Sequence, residues 1–141
     1  MSTSNRTRQL LITSRGMLRT STLAPLLDDH TLLSKKPLAR HSEIDAVAAW
    51  GRKPSATKAA LVAAKLDKPI LYCEDGFLRS VGLGTEPPYS LVVDSRGIYY
   101  DATSVSDCEL LIQQPLSVEQ IERARRMMTL WREDGVSKYN H

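Results

Sequence analysis

The feature that most constrains this chain is an alternation near its middle. Ile44–Trp50 (IDAVAAW) is an apolar run that stops at Gly51. Ala56–Leu66 follows in a helical pattern rich in Ala, Leu and Lys, with Ser55 as the expected N-cap. Asp67-Lys68-Pro69 ends it, and Ile70–Cys73 (ILYC) is a second short apolar run. Strand, helix, strand in this order is the βαβ unit of a parallel sheet. Such sheets bind ligands outside the carboxyl ends of their strands. Gly51-Arg52-Lys53-Pro54-Ser55 and Glu74-Asp75-Gly76 both fall at such ends, and a single crossover makes them neighbours.

The rest of the chain extends this unit. Gln9–Thr13 (QLLIT) reads as a first strand that ends in a turn at Ser14-Arg15-Gly16. Leu18–Leu27 reads as a short helix kinked by Pro25, and Thr31–Leu33 as a second strand. Pro37–Glu43 is a basic loop. Pro87-Pro88 is a rigid lead-in to an expected hairpin, Ser90–Val93 against Ile98–Tyr100, with Gly97 supplying a positive φ. Ser106 is placed to cap a helix over Asp107–Gln113. Ser117 and Gln120 form a capping box for a longer helix running to Glu133. Its face of Ile121, Ala124, Met128 and Trp131 is expected to pack inward, with Met127 and Met128 in the core. The fold class is therefore α/β: a Rossmann-like parallel sheet with flanking helices and a β-hairpin insertion. Residues 1–8 are expected to form a flexible tail and 9–141 a single lobe.

Composition removes several functional classes. With 141 residues, 42% hydrophobic and 25% charged, the chain can bury a core and is unlike a disordered one. Its apolar runs are too short to span a membrane, and Leu10-Leu11-Ile12 is too short for a secretory signal core. A cytoplasmic location is the expectation. Cys73 and Cys108 suit neither a disulfide framework nor a metal spacing, so both are expected to be buried thiols, and no metal is expected. The first 68 residues carry 12 basic and 5 acidic side chains, and the remaining 73 carry 7 and 11. The basic half could meet an anionic ligand. Nucleic acid is not the expected partner, because Trp50 is the one aromatic residue in that half.

Three groups of residues could carry chemistry. Glu74 and Asp75 leave a strand together and point to opposite faces, so one can meet a ligand while the other fixes the loop. Arg79, beside Ser80, supplies a bidentate donor for carboxylate or phosphate. Gly76, Gly82 and Gly84 permit tight turns, but their spacing is not a dinucleotide fingerprint. Arg52, Lys53 and Ser55 sit at a helix start, where free N–H groups favour an anion. Tyr99 could stack on a sugar, and Asp101 could accept a sugar hydroxyl. Each group also has a structural reading: an Arg-paired turn, a capped helix start, cross-strand packing. His30 and His41 read as surface or loop residues.

Several motifs in order carry a resemblance. They are Ala49-Trp50-Gly51-Arg52-Lys53-Pro54-Ser55, Glu74-Asp75-Gly76-Phe77-Leu78-Arg79-Ser80, Pro88-Tyr89-Ser90-Leu91-Val92-Val93-Asp94, Arg96-Gly97-Ile98-Tyr99-Tyr100-Asp101-Ala102 and Ser137-Lys138-Tyr139-Asn140. Over residues 44–141 the chain resembles the bacterial capsular polysaccharide synthesis and export family of the KpsC and LipA type. The resemblance implies one lobe of a two-lobed, retaining glycosyltransferase. Such an enzyme moves Kdo (3-deoxy-D-manno-octulosonic acid) from CMP-Kdo to a phospholipid-linked Kdo acceptor. No cofactor beyond that nucleotide-sugar donor is implied. Glu74 is implied as the acid/base with Asp75 beside it, and Arg52, Lys53, Ser55, Arg79, Ser80, Tyr99 and Asp101 as substrate-binding residues. The nucleophile is expected to be an Asp in the second half of the module. In the family the SKYN motif lies well before the module is complete, so an incomplete lobe, inactive alone, is expected. Further implied partners are the capsule export machinery and a peripheral position at the inner membrane. Two other readings stand beside this one: a non-catalytic binding or assembly protein of that machinery, and a small Rossmann-like domain for an unrelated anionic sugar or nucleotide.

Overall fold

The structure is a computed structural model that describes residues 7–34, 41–82, 86–138 and 140. Gly84, most of the expected tail, Pro37–Arg40 of the basic loop, Tyr139 of SKYN and the His41 side chain lie outside the described residues. Five strands form one sheet: β1 (Arg8–Ile12), β2 (His30–Leu33), β3 (Ala46–Trp50), β4 (Ile70–Asp75) and β5 (Leu91–Asp94). Their order is β2-β1-β3-β4-β5. The first four run parallel, and β5 lies antiparallel against β4, with Cys73 opposite Val93 and Asp75 opposite Leu91. The chain is an α/β protein with a mixed sheet. The helices are α1 (Arg15–Leu18), α2 (Leu23–Leu26), α3 (Pro54–Leu66), α4 (Asp107–Ile112) and α5 (Val118–Glu133), and His41–Glu43 forms a 3-10 turn.

The central strands are apolar on both faces because both faces are covered. Successive side chains on a strand alternate. Leu11, Val47 and Ala49 therefore meet α3 through Ala56, Ala59, Val62 and Ala63. Leu10, Ile12, Ala48 and Cys73 point the other way, onto Met17 of α1 and onto Leu23 and Leu27. Burial pushes the Cys73 thiol up to about 12.

Several expectations are corrected. The kinked helix over 18–27 is two four-residue helices separated at Arg19–Thr22. Pro25 is tolerated because it lies in the first turn of α2, where its missing N–H breaks no ladder. The N-cap of α3 is Lys53 rather than Ser55, with Pro54 opening the helix at a position suited to its fixed φ. β4 runs two residues further than expected, so Glu74 and Asp75 are its last residues.

The 90–100 hairpin does not form. The Asp94 carboxylate accepts the N–H groups of Arg96 (2.9 Å), Gly97 (2.8 Å) and Asp107 (2.9 Å), which turns the chain away, and β5 pairs with β4 instead. Gly97 does not adopt a positive φ; a Cβ there would press on Ser104 and Val105. Cys108 is partly exposed rather than buried. His30 opens β2 with its Nδ1 2.5 Å from Asp29 Oδ1. Ser106 caps α4 and Ser117/Gln120 forms its capping box as the sequence implies, and Glu109 completes a second box with Ser106. The expected inward face of α5 is not packed: Ile121, Ala124, Met127, Met128 and Trp131 are all exposed. Among the described residues, no helix is long and apolar enough to cross a membrane.

Candidate functional site

A cavity of about 430 Å³ opens at the carboxyl ends of β1, β3 and β4. β1 hands it Ser14, Met17, Arg19 and Thr20 through α1 and the turn after it. β3 hands it Trp50, Lys53 and Ser55, and β4 hands it Asp75 and Arg79. Glu86, Pro87 and Pro88 close the rim, tied to the first loop by a Thr22 Oγ1 bond to the Pro88 carbonyl at 2.5 Å. This is the location at which open parallel sheets bind ligands.

The charged centre of the cavity is an ion pair. Arg79 Nε donates to Asp75 Oδ2 at 2.7 Å, and Arg79 Nη1 donates to Ser80 Oγ at 3.1 Å. Ser80 Oγ donates onward to the Gly82 carbonyl at 2.7 Å. The backbone around the pair is pinned by the end of the chain: Arg79 N–H donates to Lys138 and Asn140 N–H to Ser80. Asp75 Oδ1 is buried and has no hydrogen-bond partner among the described residues. The start of α3 adds Lys53, whose ammonium lies 5.8 Å from the Trp50 ring centre, and its first turn carries no acidic side chain. Arg19, Lys53 and Arg79 give the cavity a cationic side suited to carboxylate or phosphate.

Glu74 points to the other side of β4 and does not line the cavity. Trp50 Nε1 donates to its Oε1 at 3.2 Å, the Asp75 N–H to the same atom at 3.1 Å, and the Tyr100 hydroxyl to its Oε2 at 3.1 Å. Tyr100 in turn accepts the Arg52 N–H at 3.1 Å. Gly51 makes this closure possible. It adopts a φ of +47, and a Cβ there would overlap the Tyr100 hydroxyl and the Glu74 carboxylate. Desolvation, with the Glu74 charge adding to it, pushes the Tyr100 phenol up.

Arg52 donates from Nε to Asp101 Oδ2 at 2.6 Å and from Nη2 to Ser104 Oγ at 3.1 Å, and its guanidinium lies 4.6 Å from the Tyr72 ring centre. It lines a second, smaller hollow of about 230 Å³ on α3. Hydrogen bonds from Thr103, and then Arg52, hold the Asp101 carboxyl below its ordinary value. Tyr99 packs on Phe77 at 5.3 Å and on Tyr100 at 5.4 Å.

The structure thus brings Lys53, Ser55, Asp75 and Arg79 together around one cavity, with Ser80 behind Arg79. It gathers Glu74, Arg52, Tyr99 and Asp101 into a network on the far side of the strand ends. Ser14, Arg19, Thr20, Trp50 and Glu86 were not anticipated. For Ser14 a signal existed: it follows the first strand of a parallel sheet, where ligand-facing loops arise.

An open α/β lobe with a charged cavity at the ends of its parallel strands belongs to the class of ligand-binding lobes built on doubly wound sheets. Residues 45–141 match the family model described as capsule polysaccharide biosynthesis protein. The chain belongs to that family. It is 39% identical over 134 residues to the capsule polysaccharide modification protein LipA of Neisseria meningitidis serogroup B, a match covering 92% of this chain and 18% of that protein. It is 48% identical over 83 residues to the lipopolysaccharide-processing protein LpsZ of Rhizobium meliloti, covering 55% of this chain and 19% of the relative. Among solved structures, the β-Kdo 2,4 transferase of Thermosulfurimonas dismutans KpsC superposes with a TM-score of 0.86 at 38% identity. That match covers 96% of this chain and 43% of the transferase chain. The β-Kdo 2,7 transferase of the same organism's KpsC superposes with a TM-score of 0.63 at 28% identity, covering 89% and 43%. The chain therefore spans under a fifth of the curated relatives' length and under half of the solved transferases.

Proposed function

We propose that this chain forms the amino-terminal lobe of a retaining glycosyltransferase. It would act in capsule assembly, moving Kdo from CMP-Kdo to a lipid-linked Kdo acceptor. The observation that carries the reading is the cavity walled by Lys53, Asp75 and Arg79, in a lobe that superposes closely on a β-Kdo transferase. Kdo bears a carboxylate and its donor a phosphodiester. Arg19, Lys53 and Arg79 supply the matching cations, and Ser55 a hydroxyl and an N–H at the start of α3.

Of the two carboxylates at the end of β4, Asp75 is the one that borders the cavity, where it is placed to meet an acceptor hydroxyl. Glu74 acts from behind. The carboxylate that would carry the glycosyl group in a double displacement belongs to a second lobe. Ser80 orients Arg79, while Arg52, Tyr99 and Asp101 shape the loop beside the site. In this reading the protein works on the cytoplasmic side of the inner membrane, next to the export machinery that receives the finished chain.

Calorimetric titration of the chain with Kdo and CMP-Kdo, with UDP-glucose as control, tests the reading. Saturable binding of Kdo or CMP-Kdo, lost in Lys53→Ala and Asp75→Asn, supports it. Equal binding of all three compounds, or of none, overturns it.

A further inference from the structure

We infer that Glu74 is a positioning residue: it sets the Trp50 indole and the Asp75 backbone in the cavity wall, and Tyr100 holds it in place. Three donors converge on this carboxylate, from β3, from β4 and from the turn after Ile98. Two of them belong to residues that line the cavity, Trp50 and Asp75. Glu74 itself does not line it. Both its oxygens are already engaged, Oε1 by Trp50 and Asp75 and Oε2 by Tyr100. A carboxylate that accepts three protein donors on two neighbouring strands and a loop serves as a fixed acceptor that orients them.

The network reaches further back. The Tyr100 hydroxyl accepts the Arg52 N–H, and the Arg52 guanidinium binds Asp101 and Ser104. The 98–104 loop is thereby tied to the turn between β3 and α3. Gly51 lies at the centre of that turn, and the space a side chain would take there is filled by Glu74 and Tyr100. The geometry of Trp50 in the wall is therefore set from behind the sheet by residues a ligand need not touch.

The test uses the whole chain in a Trp131→Phe background, which leaves Trp50 as the single tryptophan. Three variants are compared with that parent: Glu74→Gln, Glu74→Ala and Tyr100→Phe. The first readout is the Trp50 indole N–H resonance in a proton–nitrogen correlation spectrum. The second is the spectrophotometric titration of Tyr100. Glu74→Gln keeps an acceptor oxygen, so it should hold the Trp50 resonance near the parent, and loss of the charge should lower the Tyr100 phenol toward its ordinary value. Glu74→Ala should move the indole resonance upfield. Tyr100→Phe, which has no bond of its own to the indole, should move it in the same direction. Should Glu74→Ala fail to fold, Glu74→Gln and Tyr100→Phe still decide.

The third readout is Kdo affinity, and it rests on the transferase reading. Glu74→Gln should stay within about threefold of the parent, and Glu74→Ala should lose about tenfold, equal to about 1.4 kcal/mol. Should the parent not bind Kdo, the transferase reading loses its support and the two spectroscopic readouts alone judge the positioning role. That role is overturned when Glu74→Ala or Tyr100→Phe folds with an unchanged Trp50 resonance. It is equally overturned when Glu74→Gln abolishes Kdo binding with Trp50 undisturbed, because Glu74 would then touch the sugar itself.

Discussion

Arg79 and Asp75 form an ion pair at 2.7 Å in which the arginine side chain is 8% exposed and the aspartate 20%. A charge removed that far from water depends on its partner. Replacing Asp75 with Ala removes the carboxylate to which the guanidinium donates at 2.7 Å. Asp75→Ala should destabilise the chain by about 3 kcal/mol, the lower end for breaking a buried pair. Asp75→Asn keeps an acceptor and should cost about 1–2 kcal/mol. Urea unfolding followed by circular dichroism measures both. A cost for Asp75→Ala no larger than that of Asp75→Asn would show that charge does not hold this loop.

Asp94 is 1% exposed and accepts three backbone N–H groups. Each of those donors would be stranded by truncation. Asp94→Ala should therefore be among the most damaging single changes, at about 3 kcal/mol or more, given about 1–3 kcal/mol per unpaired buried group. It should also loosen the start of α4, because the Asp107 N–H is one of the three donors. Faster amide exchange at Asp107 is the local signature. A variant with native exchange there would contradict the role given to Asp94.

Both the legible and the illegible parts of this fold have physical reasons. β3, α3 and β4 could be read from sequence because each is a local pattern bounded by Gly51 and by Asp67-Lys68-Pro69. The Ser106 cap and the Ser117/Gln120 capping box were legible for the same reason. The partner of β5 was not. Its apolar run suits a local hairpin as well as a pairing with β4, and the buried Asp94 that decides the matter looks like an ordinary turn residue. At the site, Lys53, Ser55, Asp75 and Arg79 followed from the strand-end rule. Arg19 and Glu86 reach the cavity through long-range contacts such as Thr22 on Pro88, which leave no local mark.

The amphipathic pattern of α5 announces a face without saying what meets it. In this chain Met128 is 48% exposed and Trp131 38% exposed. Met128→Glu should therefore change stability by no more than about 0.5 kcal/mol, as for an ordinary surface site. Leu10→Ala, at a wholly buried position between β2 and β3, should cost about 2–5 kcal/mol. Thermal unfolding of the two variants side by side checks the contrast. A large loss in Met128→Glu would mean that α5 packs on the lobe in solution.

The acid limb of stability should reflect Asp101 and Asp107. Hydrogen bonds from Thr103 and then Arg52 lower the first. Bonds from the Ser95 backbone and hydroxyl, with the Arg96 charge, lower the second against the opposing effect of burial. In the unfolded chain both return to ordinary carboxylate values, so the unfolded state takes up protons first as pH falls. Their contribution is complete above the unfolded value and is lost as pH drops through the lower folded values. Urea midpoints should hold steady, as far as these groups are concerned, from about pH 7 to about pH 5 and fall below about pH 4. Asp107→Asn removes one of the two groups. It should lower the midpoint at neutral pH and flatten the fall in acid, so that wild type and variant converge as pH drops. Parallel curves over the whole range would show that Asp107 is not charged against Ser95 and Arg96 in the folded protein.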